Sequence, residues 1–216
     1  MSRSQSLLAI HLVAICFGTC GILGELIQAD ATIITWGRSL FAVMTLAVFS
    51  RVAGVSRGAG VGVASRWRAL LLSGAMLAVH WVTFFVSVKV GGIAVATLGF
   101  ASFPAFITFV EWALLRERVS RAEWLRLAVV SAGLVLVTPS FSLADRGTEG
   151  LLWGLLSGAT FGMLAVINRR SLSGMDAFRV AGAQNVIVFV LLSGWVMPHL
   201  GEATVASWLW ILVLGV

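Results

Sequence analysis

Three ionisable side chains, His11, His80 and Glu111, fall inside long apolar runs of the sequence. A charge placed at the middle of a membrane helix costs about 2.5–3.5 kcal/mol on insertion scales. An ionisable group inside such a run is therefore a candidate for solute binding or proton transfer. His80 is the deepest of the three, because it lies near the middle of its apolar run.

Aromatic residues accompany His80 at the same predicted depth. Trp81 follows it directly, and Phe84 lies one turn further along the same helix face. Pro104, at the middle of the next run, removes a helix hydrogen bond and frees the carbonyl of Phe100. A kinked helix beside a histidine and aromatic rings suits a substrate cavity. The residues predicted to line it are His80, Trp81, Phe84, Phe100 and Pro104; the alternative is that His80 only packs between helices.

Two glutamates near the end of the apolar run that contains Pro104 are candidates for coupling or gating: Glu111 and Glu117. Glu111 could carry a coupling proton, or it could reach Arg116 or water at the membrane surface. Glu117 lies among Arg116, Arg118 and Arg121. The alternative to gating is a structural role, in which Glu117 pairs with these arginines and places negative charge at the start of the next helix.

The composition assigns the chain to the polytopic, all-α membrane proteins. Of its 216 residues 59% are hydrophobic and 11% are charged, whereas soluble domains have about 45–50% and about 25%. So few charged side chains cannot cover a soluble surface, which excludes a soluble enzyme, a secreted disulfide scaffold and a disordered tail. The net charge of +6 lies in short loops rather than on one soluble face, so no nucleic-acid partner is expected.

The apolar runs predict seven membrane helices and the start of an eighth, because a bilayer core needs about 20 apolar residues in a helix. The predicted spans are 7–27, 32–49, 69–88, 93–115, 123–138, 150–168 and 178–197. The eighth begins near Ala206, and the eleven residues to Val216 are too few to cross a membrane.

Positive charges orient these helices with the N-terminus in the cytoplasm, as the positive-inside rule requires. The cytoplasmic set is Arg3, Arg51, Arg57, Arg66, Arg68, Arg116, Arg118, Arg121, Arg126, Arg169, Arg170 and Arg179. Only Arg38, Lys89 and Arg146 fall at outer ends. We therefore expect a multi-pass protein of the plasma membrane, specifically a bacterial inner membrane. Arg38 and Lys89 are expected to snorkel to the interface, with attraction of anionic substrates as the alternative.

An internal repeat relates residues 7–23 (LLAIHLVAICFGTCGIL) to residues 151–167 (LLWGLLSGATFGMLAVI). Both begin with Leu-Leu, and Phe17-Gly18 aligns with Phe161-Gly162. Five predicted helices, an odd number, separate the two starts, so the second copy enters from the opposite side of the membrane. This predicts an inverted-topology repeat with a first unit over 1–143 and an incomplete second unit over 144–216.

Residues 75–137 resemble the EamA family of the drug/metabolite transporter superfamily. The resemblance lies in the aromatic third helix ending in Ser87-Val88-Lys89, in Pro104 at the centre of the fourth helix, and in Leu115-Arg116-Glu117-Arg118. The last motif is like the family's L-G-E-R, with Arg116 in place of glycine. Family members have ten helices in two five-helix halves. The resemblance therefore implies inverted five-helix repeats, the second truncated in helix 8.

The resemblance also implies a secondary transporter, or permease, that moves a small metabolite or drug-like solute by alternating access, with no cofactor and no enzymatic reaction. Cys16 and Cys20 lack partners for a metal site and are predicted to pack between helices. Two alternatives stay open: an integral-membrane enzyme or lipid-handling protein, and a non-transporting fragment. The expected partners are a small-molecule substrate and the lipid bilayer, and a homodimer is one way to complete the fold.

Overall fold

The computed structural model describes residues 3–52, 63–137 and 145–216. Within these ranges the chain is helical and contains no strand. Its elements are α1 (Arg3–Leu26), α2 (Ala31–Val52), α3 (Val63–Phe100), α4 (Phe103–Ala113), α5 (Arg121–Val137), α6 (Arg146–Ser171), α7 (Ala177–Val196), a 3-10 helix (Met197–Glu202) and α8 (Val205–Gly215). Arg57 and the predicted end of the fifth span at residue 138 lie outside the described residues.

Four of the described helical segments are long and apolar enough to cross a membrane: Ala31–Val52, Ser65–Phe100, Arg146–Ser171 and Ala177–Glu202. Shorter apolar helices occur at Ile15–Leu26, Phe103–Ala113 and Val205–Gly215. Large apolar side chains cover the outside of the bundle, among them Val48, Val190 and Trp195. Because such a surface is stable in hydrocarbon rather than in water, the chain is a multi-pass membrane protein.

The third and fourth predicted spans form a tight hairpin that turns at Gly92, inside α3. Gly92 has φ 82° and ψ 168°, a conformation that glycine adopts without steric cost. The Phe100 ring centroid lies 5.1 Å from that of His80, whereas a straight helix would separate these residues by about 30 Å. Residues 93–100 therefore run back towards Phe84 and His80, beside the end of the helix that precedes Gly92.

The fourth span is broken, and the prediction of one proline-kinked helix over 93–115 is wrong. Residues 101–102 form a turn between the end of α3 and the start of α4. Pro104 falls in the first turn of α4, where its missing N–H interrupts no helix hydrogen bond. The Ser102 hydroxyl donates to the carbonyl of Gly99 at 2.6 Å, which stabilises the turn.

The closest helix packing joins α6 to the α3 hairpin and to α4. A stripe of glycines at intervals of four residues on α6 makes it possible: Gly150, Gly154, Gly158 and Gly162. A Cβ on Gly150 would lie 2.5 Å from the Cα of Gly91, and one on Gly158 would lie 2.7 Å from Ser102 Oγ. At this separation the Ser87 hydroxyl donates to the carbonyl of Gly150 at 2.6 Å.

Lys89 bonds to the backbone where α1 ends. Its Nζ donates to the carbonyl of Ile27, and it lies 3.4 Å from the carbonyl of Glu25. Glu25 lies in the last turn of α1 and Ile27 directly follows the helix, at the end where the helix dipole favours a cation. Lys89 therefore fixes the end of α1 against the α3 hairpin.

The glycine stripe makes a direct prediction about stability. Gly150→Ala should destabilise the protein by about 1–3 kcal/mol, because the new methyl group meets backbone atoms of Gly91 that cannot move aside. Gly194→Ala on α7 is the matched control, since nothing lies within 4 Å of its added Cβ. The measurement is the thermal unfolding midpoint in detergent. Equal midpoints for the two variants would contradict the packing described here.

Candidate functional site

A cavity of about 410 Å³ lies between α1, α2, α3, α4 and α6, beside the break in the fourth span. Its wall consists of Phe17, Gly18, Cys20, Arg38, His80, Trp81, Phe84, Thr97, Phe100, Ala101, Phe103 and Phe161. Aromatic rings make up most of this surface, and only a few polar groups interrupt it. Both the volume and the mixture of an apolar wall with a few polar groups are typical of small-molecule sites.

Four of the five residues predicted to line a cavity are in this wall: His80, Trp81, Phe84 and Phe100. Pro104 is not. It is exposed and lies in a shallow cleft with Glu123 and Arg126, towards α5. Because α4 starts as a separate helix after the turn at 101–102, Phe103 takes the place at the cavity wall instead. That the four wall residues bind a substrate stays a prediction.

His80 is buried and joins α3 to α6. Its Nδ1 lies 2.8 Å from Ser157 Oγ and 3.1 Å from the Ser157 carbonyl oxygen, and the same hydroxyl lies 3.1 Å from the His80 carbonyl. The imidazole tautomer depends on which of these acceptors takes the hydroxyl proton. In the described part of the chain Nε2 has no hydrogen-bond partner. His80 is therefore both a packing residue and part of the cavity wall.

Phenylalanines from four helices form one cluster around the histidine. The Phe161 ring centroid lies 4.9 Å from that of His80, 5.3 Å from that of Phe100 and 5.1 Å from that of Phe103. Phe17 completes the cluster, 6.3 Å from Phe161 in an edge-to-face arrangement, which aromatic pairs favour. The sequence analysis did not assign Phe17, Phe103 or Phe161 to the site, although the repeat had aligned Phe17 with Phe161.

Arg38 lies in the cavity wall, and the expectation that it snorkels to the interface is wrong. Its guanidinium carbon lies 4.0 Å from the centre of the Trp81 ring, a cation–π contact. The Cys20 thiol is the polar side chain beside it. Because α2 begins at Ala31, residue 38 lies about 10 Å along the helix from its start, and its side chain faces the cavity.

Glu111 and Glu117 lie away from the cavity and pair with α6. Glu111 forms an ion pair with Arg169, and Glu117 forms one with Arg170. The sequence analysis expected partners from the neighbouring arginines, such as Arg116. The structure instead joins the end of α4 to the end of α6, residues more than fifty positions apart in sequence.

Of the remaining candidates, Cys20 lines the cavity, whereas His11 and Cys16 are not part of its wall. His11 is exposed on α1, Cys16 is an exposed free thiol, and the free thiol of Cys20 is half-buried. Among the residues that the structure describes, no three His, Cys, Asp or Glu side chains lie close enough together to hold a metal ion.

Comparisons with known proteins find one matching family and two relatives. Residues 4–138 match the EamA-like transporter family. Over 94% of its length the chain is 27% identical to "Uncharacterized transporter YwfM" of Bacillus subtilis (strain 168), of which it covers 66%. Over 99% of its length it is 30% identical to "Pseudopaline exporter CntI" of Pseudomonas aeruginosa (strain UCBPP-PA14), of which it covers 74%. The chain thus spans just under two thirds of the first relative's length, and no solved structure matches it significantly.

The contact between His80 and Ser157 predicts a measurable loss of stability. Ser157→Ala removes a hydroxyl that bonds across two helices, and we expect a cost of roughly 1 kcal/mol. Ser39→Ala is the matched control, because that buried hydroxyl bonds only to Trp36 O within its own helix. Thermal unfolding of both variants in detergent separates the two cases. A midpoint for Ser157→Ala no lower than that of Ser39→Ala would show that the interhelical bond contributes nothing.

Proposed function

The chain belongs to the EamA-like transporter family, whose model matches more than half of it, and from this premise we propose that it carries a small solute through the aromatic cavity. The observation that carries the proposal is the position of this cavity beside a broken helix. Transporters bind their substrates at such breaks, because unwound backbone and helix ends supply polar groups there. The relative named as an exporter supports outward movement of the solute.

The transport cycle we propose is alternating access, with the unit 1–143 rocking against the unit 144–216 as inverted repeats. The two phenylalanines that the repeat aligns, Phe17 and Phe161, have ring centroids 6.3 Å apart. In an inverted repeat, matched residues that contact each other lie near the axis that relates the two copies. Both line the cavity, which supports a substrate site at the interface between the repeats, where inverted-repeat transporters place it.

His80, Trp81, Phe84 and Phe100 are the proposed substrate contacts. His80 Nε2 offers a hydrogen-bonding atom that the described residues do not use. Phe84 and Phe100 meet edge to face, with ring centroids 5.8 Å apart, so they present both a ring face and a ring edge. Such a wall accommodates flat or apolar parts of a solute.

The ion pairs of Glu111 with Arg169 and of Glu117 with Arg170 are the proposed gate. They join α4 of the first repeat to α6 of the second, at the ends that the positive-inside rule assigns to the cytoplasm. Both partners of the Glu117–Arg170 pair are solvent-exposed, whereas Glu111 is largely buried. A solvent-exposed pair contributes only about 0–1 kcal/mol. The Glu117–Arg170 pair can therefore open in every cycle without a large barrier. The proposed orientation also places the N-terminus in the cytoplasm.

Filling the cavity should abolish transport. Ala101→Trp places a large ring in the cavity wall, whereas Ala132→Trp on the exposed face of α5 is the control. Vesicles that contain each full-length variant are loaded with a small-molecule extract of the source cells, and solute loss is followed by mass spectrometry. We expect at least one solute to leave vesicles with the wild type and the control but not with Ala101→Trp. If every solute leaks as it does from protein-free vesicles, the proposed function is wrong.

Breaking the gate should expose the cavity to the cytoplasmic side. Cys20 lies in the cavity wall, so its labelling by a membrane-impermeant maleimide reports access once Cys16 has been replaced by serine. In inside-out vesicles, Glu111→Gln combined with Glu117→Gln should raise the labelling rate several-fold.

Glu123→Gln is the control for the gate, because that carboxylate bonds to the backbone N–H of Ser120 at the start of its own helix. It should label at the rate of the parent. A labelling rate unchanged by the paired substitution would show that these ion pairs do not close the cavity.

A further inference from the structure

Arg38 is the one formally charged side chain in the described wall of the cavity, and no carboxylate lines that wall. The other polar side chains are His80, Cys20 and Thr97. We infer that the transported solute carries an anionic group that binds Arg38 and an apolar or aromatic part that lies among the phenylalanines. The inference rests on the proposed function, and it names the substrate class of the same site.

The charge on Arg38 is permanent, since a guanidinium is not deprotonated in proteins. A permanent charge in a membrane interior is unfavourable unless a partner compensates it. The two described ion pairs, those of Glu111 and Glu117, use other arginines. Within the described residues Trp81 and Cys20 are the partners of Arg38, and neither carries a formal negative charge that balances it.

The geometry leaves the guanidinium able to bind an anion. Its carbon lies 4.0 Å from the centre of the Trp81 ring, and Cys20 is the side chain that hydrogen-bonds to it. A guanidinium has five N–H donors, so most of them are not used by side chains of the described residues. Those N–H groups form a planar fork that matches the two oxygens of a carboxylate or a phosphate. The contacts with Trp81 and Cys20 also hold the fork in place, so an arriving anion loses little affinity to ordering the side chain.

The phenylalanines of the wall favour a solute with an apolar or aromatic part. Phe17, Phe100 and Phe161 surround the space beside Arg38 and His80, and they would leave polar groups of a solute without partners. A cationic solute would meet the Arg38 charge in a medium of low dielectric, where repulsion is strong. The cavity therefore favours an amphipathic anion over a cation or a highly polar neutral solute.

Matched phenyl compounds test the charge preference directly. The purified full-length protein in detergent is titrated calorimetrically with phenylacetate, 2-phenylethanol and 2-phenylethylamine, which differ mainly in charge. We expect phenylacetate to bind at least tenfold more tightly than the alcohol, and the amine to bind most weakly. Phenyl phosphate in the same assay distinguishes a phosphate from a carboxylate as the preferred anion, and tighter binding of either one than of the alcohol supports the inference.

Three variants test whether Arg38 causes the preference for an anion. Arg38→Met should remove the difference between acid and alcohol, and Arg38→Lys should keep part of it, because the charge stays while the fork is lost. Arg146→Met is the control, since it removes an exposed cation that does not line the cavity and should change neither affinity. Unfolding midpoints check that each variant is folded, and the wild-type series is informative even where a substituted chain does not fold.

Equal affinities of the wild type for the three compounds, or an acid preference that survives in Arg38→Met, would overturn the inference. Binding of none of the compounds would overturn it as well, because Arg38 should add affinity for any small aromatic anion. The cavity-filling experiment with Ala101→Trp does not depend on the charge of the solute. It therefore decides the proposed function separately.

Discussion

The close approach of α6 to the α3 hairpin is the contact on which the rest of the structure depends. In a membrane the lipid is as apolar as the helices, so helix association relies on tight packing and interhelical hydrogen bonds. The α6 glycines allow both, because they bring the backbone at Gly150 against Gly91. At that distance the Ser87 hydroxyl reaches a carbonyl of α6, and Ser157 reaches the ring of His80.

The cavity is the counterpart of this packing. α3 and α6 touch at the glycines, which have no side chains. One turn beyond Ser157, the large ring of Phe161 extends into the bundle and contacts Phe100 and Phe103. The break at residues 101–102 lets these two rings approach from separate helices. The result is a largely aromatic wall whose few polar side chains include Arg38, His80, Cys20 and Thr97, so the chemistry of the site depends on very few atoms.

One helix, α6, connects the described features along its length. It carries the glycine stripe, the Ser157 contact with His80, Phe161 in the cavity wall, and the arginines paired with Glu111 and Glu117. A rigid helix that contacts a site at its centre and ion pairs at its end is a direct mechanical connection between them. This arrangement is a physical route from the cavity wall to the two ion pairs.

The sequence by itself determined the membrane class, four of the predicted spans, and the proximity of His80, Trp81, Phe84 and Phe100, because hydropathy and helix periodicity are local properties. It did not determine which side of each helix faces inward. Only the tertiary structure decided that the wall holds Phe103 rather than Pro104, that Arg38 points into the bundle, and that the glutamates pair with α6. The physical reason is that helix rotation, the position of the break and the choice of ion-pair partner follow from contacts between distant segments. The four-residue spacing of the α6 glycines was readable in the sequence, but the helix against which it packs was not.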